Sequence, residues 1–267
     1  MLKLTLKVSV AVALITVSGM AESMSRTHNH QVKYERGLKE ASVKNSPIKI
    51  GFPKHNHFQE DKEVDLKSRF LNDEECDTII DKEFIEICYD YDFKAAKSVA
   101  YTLEGDLVNE TNIKERPSFY EEESLDEDVR ASRYDYTNTG FDRGHMAPDA
   151  AFDWSEESLE STYSMANIIP QIPYVNREMW TDVEKYARRK AVDLGEVKII
   201  NVVKYDEDDA ERIGESKIAV SNGFYKVLYN EEEEFEECYY YANKEYDDES
   251  KDKLEYHLVD CSEVGYK

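Results

Sequence analysis

Positive charge is scarce in this chain. Over 267 residues, 34 Lys and Arg face 58 Asp and Glu, a formal net charge of −24. Phosphate affinity comes from Lys and Arg, so the deficit weighs against a protein that meets nucleic acid with its whole surface. No phosphate-cradling P-loop, Gly-x-Ser-x-Gly elbow or dinucleotide-binding glycine pattern occurs, which argues against the classes those motifs mark. No internal repeat is visible, so a solenoid or propeller is not expected. The acidic stretch 206–211 lacks the Asp-x-Asp-x-Asp-Gly spacing and closing Glu of a calcium hand. The four cysteines show no Cys-x-x-Cys spacing, which disfavours zinc. One apolar run exists, residues 8–17, and it is too short to cross a bilayer, so no membrane insertion is expected.

What is present suits one aromatic, β-rich core. Hydrophobic residues make up 40%, with 19 Tyr and 10 Phe, and aromatic residues favour strands. The length fits one large domain, or a domain with extensions. Lys3 and Lys7 precede the apolar run, and Gly19 and Ala21 stand three and one residues before a cleavage point. Residues 1–21 therefore read as a signal peptide, which predicts a periplasmic or secreted protein. Residues 22–62 read as a polar lead-in without fixed structure, and 63–267 as the single domain. Two His-Asn-His triplets, at His28 and His55, fall in the lead-in and read as accidental. An exported chain with Cys76, Cys88, Cys238 and Cys261 is expected to form disulfides. Of the three pairings, Cys76–Cys88 and Cys238–Cys261 are favoured because each closes a local loop.

Along the domain, 76–80 reads as a short helix or loop, 84–89 as a strand and 98–108 as another, bent at Gly105. Residues 116–133 read as a loop in which Arg130 and Arg133 pair with neighbouring acids. Residues 134–140 are turn-rich. A strand then carries His145; 153–161 reads as a loop or short helix, and 163–169 as a strand stopped by Pro170. Trp180, Val183, Ala187, Ala191 and Leu194 recur at helical spacing, ended by Gly195. Period-two strands follow at 197–205, 217–221, 224–229 and 238–242. The acidic runs 231–234 and 247–249 read as solvated hairpin tips.

The chemistry concentrates at Asp142–His145, reading Asp-Arg-Gly-His. A histidine titrates near neutrality and can take a proton from water. An arginine grips phosphate as a fork. Downstream come Asn167 in an Asn-x-x-Pro-Gln segment, Asn176 in an Asn-x-x-x-Trp segment, then Glu184 and Arg188. This set resembles the ββα-metal group of sugar-non-specific DNA/RNA endonucleases, closely over about 116–194 and weakly over about 76–229. The resemblance implies an α+β ββα-metal nuclease fold, a central mostly antiparallel sheet flanked by helices. It implies DNA and RNA as substrates and Mg²⁺ as cofactor, or Mn²⁺ or another divalent cation in its place. It makes His145 the general base and Asn176 the direct metal ligand, with Glu184 acting on the metal through water. Arg116, Arg143 and Arg188 would meet phosphate, and Asn167 would hold His145 or the metal waters. Asp142 and Gly144 would be structural.

The acidity is reconciled if Lys185, Arg188, Arg189 and Lys190 make a local positive cleft, since charges beyond roughly 8 Å are screened at physiological salt. Two rival readings compete: an acidic inhibitor on a non-catalytic nuclease scaffold, and an acidic envelope protein binding calcium.

Overall fold

Alternating inward and outward residues build most of the molecule into one twisted antiparallel sheet. The computed structural model describes residues 75–109, 111–206, 208–246 and 252–264, all within the unit Glu60–Lys267. The expected signal peptide, the expected lead-in with its His-Asn-His triplets, and the acid run 247–249 lie outside the described residues. Seven strands stand in the order β1 (Thr78–Asp81), β2 (Ile85–Asp90), β3 (Ala95–Glu104), β6 (Glu196–Lys204), β9 (Gly223–Asn230), β10 (Phe235–Ala242) and β11 (Leu258–Val259). Every pairing between them is antiparallel. Two small hairpins stand apart from it: β4 (Asp142–His145) with β5 (Ile168–Gln171), and β7 (Arg212–Ile213) with β8 (Ile218–Ala219).

The period of two sorts the side chains by face. Val99, Tyr101, Leu103, Ile199, Val203, Phe224 and Leu228 share one core with Trp180, Val183, Ala187 and Ala191. The last four are the apolar stripe of the long helix, α2 (Thr181–Leu194), which follows the short α1 (Glu156–Ser161). Gly195, at φ +90°, ends α2 as its sequence position suggests. Ile200, Val202, Val227 and Tyr229 point the other way, into a smaller cluster with Cys238 and Val264. The α+β architecture is the one expected.

Several local expectations are corrected. Residues 78–81 are an edge strand, not a helix or loop, because Ile80 has a buried place against β2. Strand β3 stops at Glu104; beyond it Gly105 N–H is donated to Gly195 O at the end of α2. Strand β5 begins late and runs through Pro170 instead of stopping there. It pairs on one side only, with β4, so the missing proline N–H interrupts no second ladder. Arg130 does pair with Glu121 and Glu127, whereas Arg133 lies over the Tyr134 ring and bonds its hydroxyl. The strand expected at 217–221 shrinks to two residues, and its partner β7, like β11, carries too few residues to show a period.

Cys76 is bonded to Cys88 and Cys238 to Cys261. The first ties the segment before β1 to β2; the second ties the C-terminal segment to β10. Thiol titration of denatured, unreduced protein should find no free thiol. Replacing Cys238 and Cys261 with alanine should lower unfolding stability by about 2–4 kcal/mol in a denaturant titration.

Candidate active site

The hairpin β4–β5 and helix α2 bring together most of the chemistry-bearing residues. On β4, Arg143 and His145 share one face and Asp142 and Gly144 the other. Gly144 faces the side chain of the fully buried Gln171: a Cβ there would stand 2.1 Å from Gln171 Oε1. No other residue fits without displacing Gln171. His145 ends the strand with its ring against Phe119 and Tyr163, at 5.3 and 5.1 Å between centroids. Its Nε2 is buried without a hydrogen-bond partner among the described residues. Burial pushes the imidazole down to about 4; Asp149 opposes the fall and Arg116 adds to it. The ring is therefore neutral at pH 7 and able to accept a proton.

Asn167 lies fully buried at the head of β5. Its Oδ1 accepts from Ala147 N at 2.9 Å, and its Nδ2 donates to the carbonyls of Ala147 and Thr162 at 2.9 and 2.8 Å. The amide is thus spent on backbone, twice at Ala147, two residues past His145, and once at Thr162, and no bond reaches the imidazole. The resemblance placed Asn167 against His145 or metal waters; the structure makes it a clamp on the strand's exit. Asp142 is held in a fork by Arg177 at 2.7 and 2.8 Å, and accepts from Asn176 Nδ2 at 3.1 Å. Burial alone would raise the Asp142 carboxyl, but those bonds and the Arg177 charge hold it below its usual range.

Asn176 sits where the helix opens. Residues Val175–Trp180 are wound as a π-helix that leads directly into α2. The Thr181 hydroxyl donates to Asn176 O at 3.1 Å, five residues back, which satisfies a carbonyl that the wider winding takes off the α ladder. In a regular α-helix, residues eight apart are offset by about 80°. The wider turn removes part of that offset and swings Asn176 toward the face carrying Glu184. Because Asp142 only accepts, its bond identifies the amide nitrogen of Asn176 and leaves the oxygen available to a cation.

Burial pushes the Glu184 carboxyl up to about 7, with Lys226 and Arg188 pulling it back and Asp149 adding to the rise. Arg188, one turn on, has its Nη1 buried without a hydrogen-bond partner among the described residues. Arg143 donates Nε and Nη2 to Arg133 O at 3.1 and 2.7 Å and lies over the Phe119 and Tyr136 rings. Arg116 is near His145 but committed: it pairs with Asp149 and Asp153, each at 3.0 Å, and donates to Ile113 O. A groove of about 440 Å³ beside Asn109, Lys185, Arg188 and Arg189 continues the cationic side along α2.

Among the described residues, no three His, Cys, Asp or Glu side chains converge as a cage for a metal ion. The donor set fits a sparser arrangement, one neutral amide oxygen with a carboxylate nearby, as suits a cation that keeps most of its waters. The partnerless polar atoms of His145 and Arg188 fit a site that completes itself with a ligand. Composition and spacing passed over four participants. Gln171 was visible only as part of its motif, and Arg177 only as a neighbour of Asn176. Asn201 and Lys226 did carry a signal: each interrupts an inward-facing apolar row, Ile199–Asn201–Val203 and Phe224–Lys226–Leu228. Burial pushes the Lys226 ammonium down to about 7, with Glu184 opposing and Arg188 adding to the fall.

The chain is similar to known nucleases. It is 30% identical over 156 residues to human mitochondrial endonuclease G, covering 55% of this chain and 52% of that protein. It is 29% identical over 160 residues to the mitochondrial nuclease of Saccharomyces cerevisiae, covering 55% and 48%. The match thus spans about half the length of these curated relatives. A solved structure of EndoG bound to EndoGI superposes with a TM-score of 0.61 at 22% identity, covering 70% of this chain and 81% of that one, a likeness of fold. Residues 68–265 match the family as a whole, and the chain belongs to the DNA/RNA non-specific endonucleases.

Proposed function

We propose that this chain is an exported, divalent-metal-dependent endonuclease that hydrolyses phosphodiester bonds of both DNA and RNA. The observation that carries the reading is the neutral His145 imidazole. Its Nε2 is buried and partnerless, on a strand pair that also holds Asn176 in place through Asp142. What supports export is the N-terminal pattern together with two disulfides, which persist in oxidising compartments.

Hydrolysis needs a base for the attacking water, positive charge for the phosphate, and stabilisation of the leaving oxygen. His145 Nε2 takes the proton from water, and Phe119 and Tyr163 hold the ring while limiting solvent. Arg188 and Arg143 meet phosphate oxygens as charge-assisted donors. Arg116 does so once the phosphate competes with Asp149 and Asp153 for it. The oxygen of Asn176 would hold a cation, and Glu184 would orient the water around it. A bound Mg²⁺ would supply positive charge at the phosphate and leaving oxygen. Asn167 and Asp142 position this machinery.

Purified protein incubated with plasmid and with RNA should cut both in the presence of Mg²⁺ and neither with chelator. Absence of cutting, with calcium-dependent folding instead, would favour the envelope-protein reading. Inhibition of another nuclease without cutting would favour the inhibitor reading.

His145→Ala should lower turnover about 10²- to 10⁴-fold, the usual range for a general base, while leaving the binding of Mn²⁺, read by calorimetry, intact. The base works only when neutral, so activity rises with pH through its pKa. Burial has moved that pKa below the ordinary 6.5, so the acid limb of kcat/KM should also lie below 6.5. Near-normal turnover in the variant would remove His145 from this role; a further limb near 7 would belong to the Glu184 carboxyl, which burial raises.

A further inference from the structure

Lys226 is a fully buried lysine in the middle of the central sheet. An ammonium leaves water only where other groups compensate it. Its Nζ donates to Asn201 Oδ1 at 2.9 Å, directly across the β6–β9 pairing, and to the Tyr101 hydroxyl at 3.2 Å. It also lies 4.3 Å above the Trp180 ring. None of these partners is a carboxylate; Glu184 acts on the ammonium by its charge without hydrogen-bonding it, so the three contacts need another account.

The other ends of those partners supply it. Asn201 Nδ2 donates to Met146 O at 2.7 Å, and Trp180 Nε1 donates to His145 O at 3.3 Å. Two successive carbonyls, where the chain leaves β4, are thus held by two side chains that both rest on one ammonium. A positive charge drawing on the amide oxygen of Asn201 strengthens its N–H as a donor, since linked hydrogen bonds polarise one another. The same charge over the indole face acts in the same sense on Trp180 Nε1. A neutral side chain of equal length would fill the space and do neither.

We propose that Lys226 is a positioning residue of the hydrolytic site: through Asn201 and Trp180 it fixes the main chain at His145 and Met146, and so the aim of the imidazole. The proposal rests on the nuclease reading. It assigns to the sheet a part in catalysis that the hairpin and helix cannot supply, because β4 has no ladder bond to any strand of the main sheet.

The test uses the full chain and three variants, Lys226→Met, Asn201→Asp and the double variant K226M/N201L. Asn201→Asp keeps an acceptor for Lys226 but has no N–H for Met146 O. The double variant replaces the buried polar pair with apolar groups of similar size, which a folded core tolerates. Steady-state cleavage and Tm are measured for each. All three should lose kcat by about 10- to 100-fold, the cost typical of residues that orient a site from behind, with KM little changed. K226M should lower Tm, because it leaves the buried Asn201 Oδ1 without its donor, whereas the double variant should hold it. The double variant should be no slower than the product of the single losses, and close to either alone, as for residues acting on one path. Wild-type kcat in K226M and in N201D would overturn the proposal. So would a kcat loss that merely follows a fall in Tm and recovers on cooling. If K226M does not fold, N201D alone decides between these outcomes. A wild-type protein without Mg²⁺-dependent cutting would instead remove the nuclease reading, and this inference with it.

Discussion

Everything in the site depends on holding one short strand still. β4 is four residues long and pairs only with β5, also four residues. A hairpin of that size is marginal by itself in water. Its rigidity comes from side chains that reach in from every side. Asn167 clamps the exit at Ala147, Trp180 and Asn201 hold the carbonyls of His145 and Met146, Arg143 ties back to Arg133 O, and Arg177 grips Asp142. These donors bind backbone or a partly exposed carboxylate, so the strand is fixed by polar geometry where a ladder would otherwise be needed. The main sheet and α2 then serve as the frame from which those side chains extend.

The same crowding of polar groups settles the electrostatics. A body of net charge −24 would repel a polyanion at long range, but exposed charges beyond roughly 8 Å are screened at physiological salt. What a phosphate would meet on the proposed reading is local: Arg188 with a partnerless buried nitrogen, Arg143 beside Phe119, and the Lys185–Arg189 side of the helix. Arg116 stands apart from them, since Asp149 and Asp153 already neutralise it. Asp149 also sits close enough to oppose the fall of the His145 pKa and to add to the rise at Glu184. The acid next to the site thus tunes its proton chemistry, while the acid elsewhere acts on solubility.

The architecture was legible because its signals are periodic. Alternation located β2, β6, β9 and β10, and the helical stripe from Trp180 to Leu194 located α2 with its closing glycine. The candidate site was legible because the Asp-Arg-Gly-His run and the two asparagine segments lie close in sequence. What was not legible depends on contacts between distant segments. Nothing near Arg116 foretells that Asp149 and Asp153 take it. The π winding at Asn176, with the Thr181 hydroxyl on the Asn176 carbonyl, is invisible to spacing. Pro170 was read as a stop because its one-sided pairing was unknown. Lys226 and Asn201 were legible in principle, as polar residues at inward positions, but period-two reading of strands looks for apolar residues and passes over what interrupts them.

The central claim is that Asn176 alone touches the metal while Glu184 governs its water, on a helix that the π turn has brought into phase. An anomalous-difference map from crystals grown with Mn²⁺ tests it most directly. One strong peak should lie within about 2.3 Å of Asn176 Oδ1, with every Glu184 oxygen farther away than a direct metal–oxygen bond permits. A peak bonded directly to Glu184, or one confined to the acidic runs at 206–211 or 231–234, would contradict it.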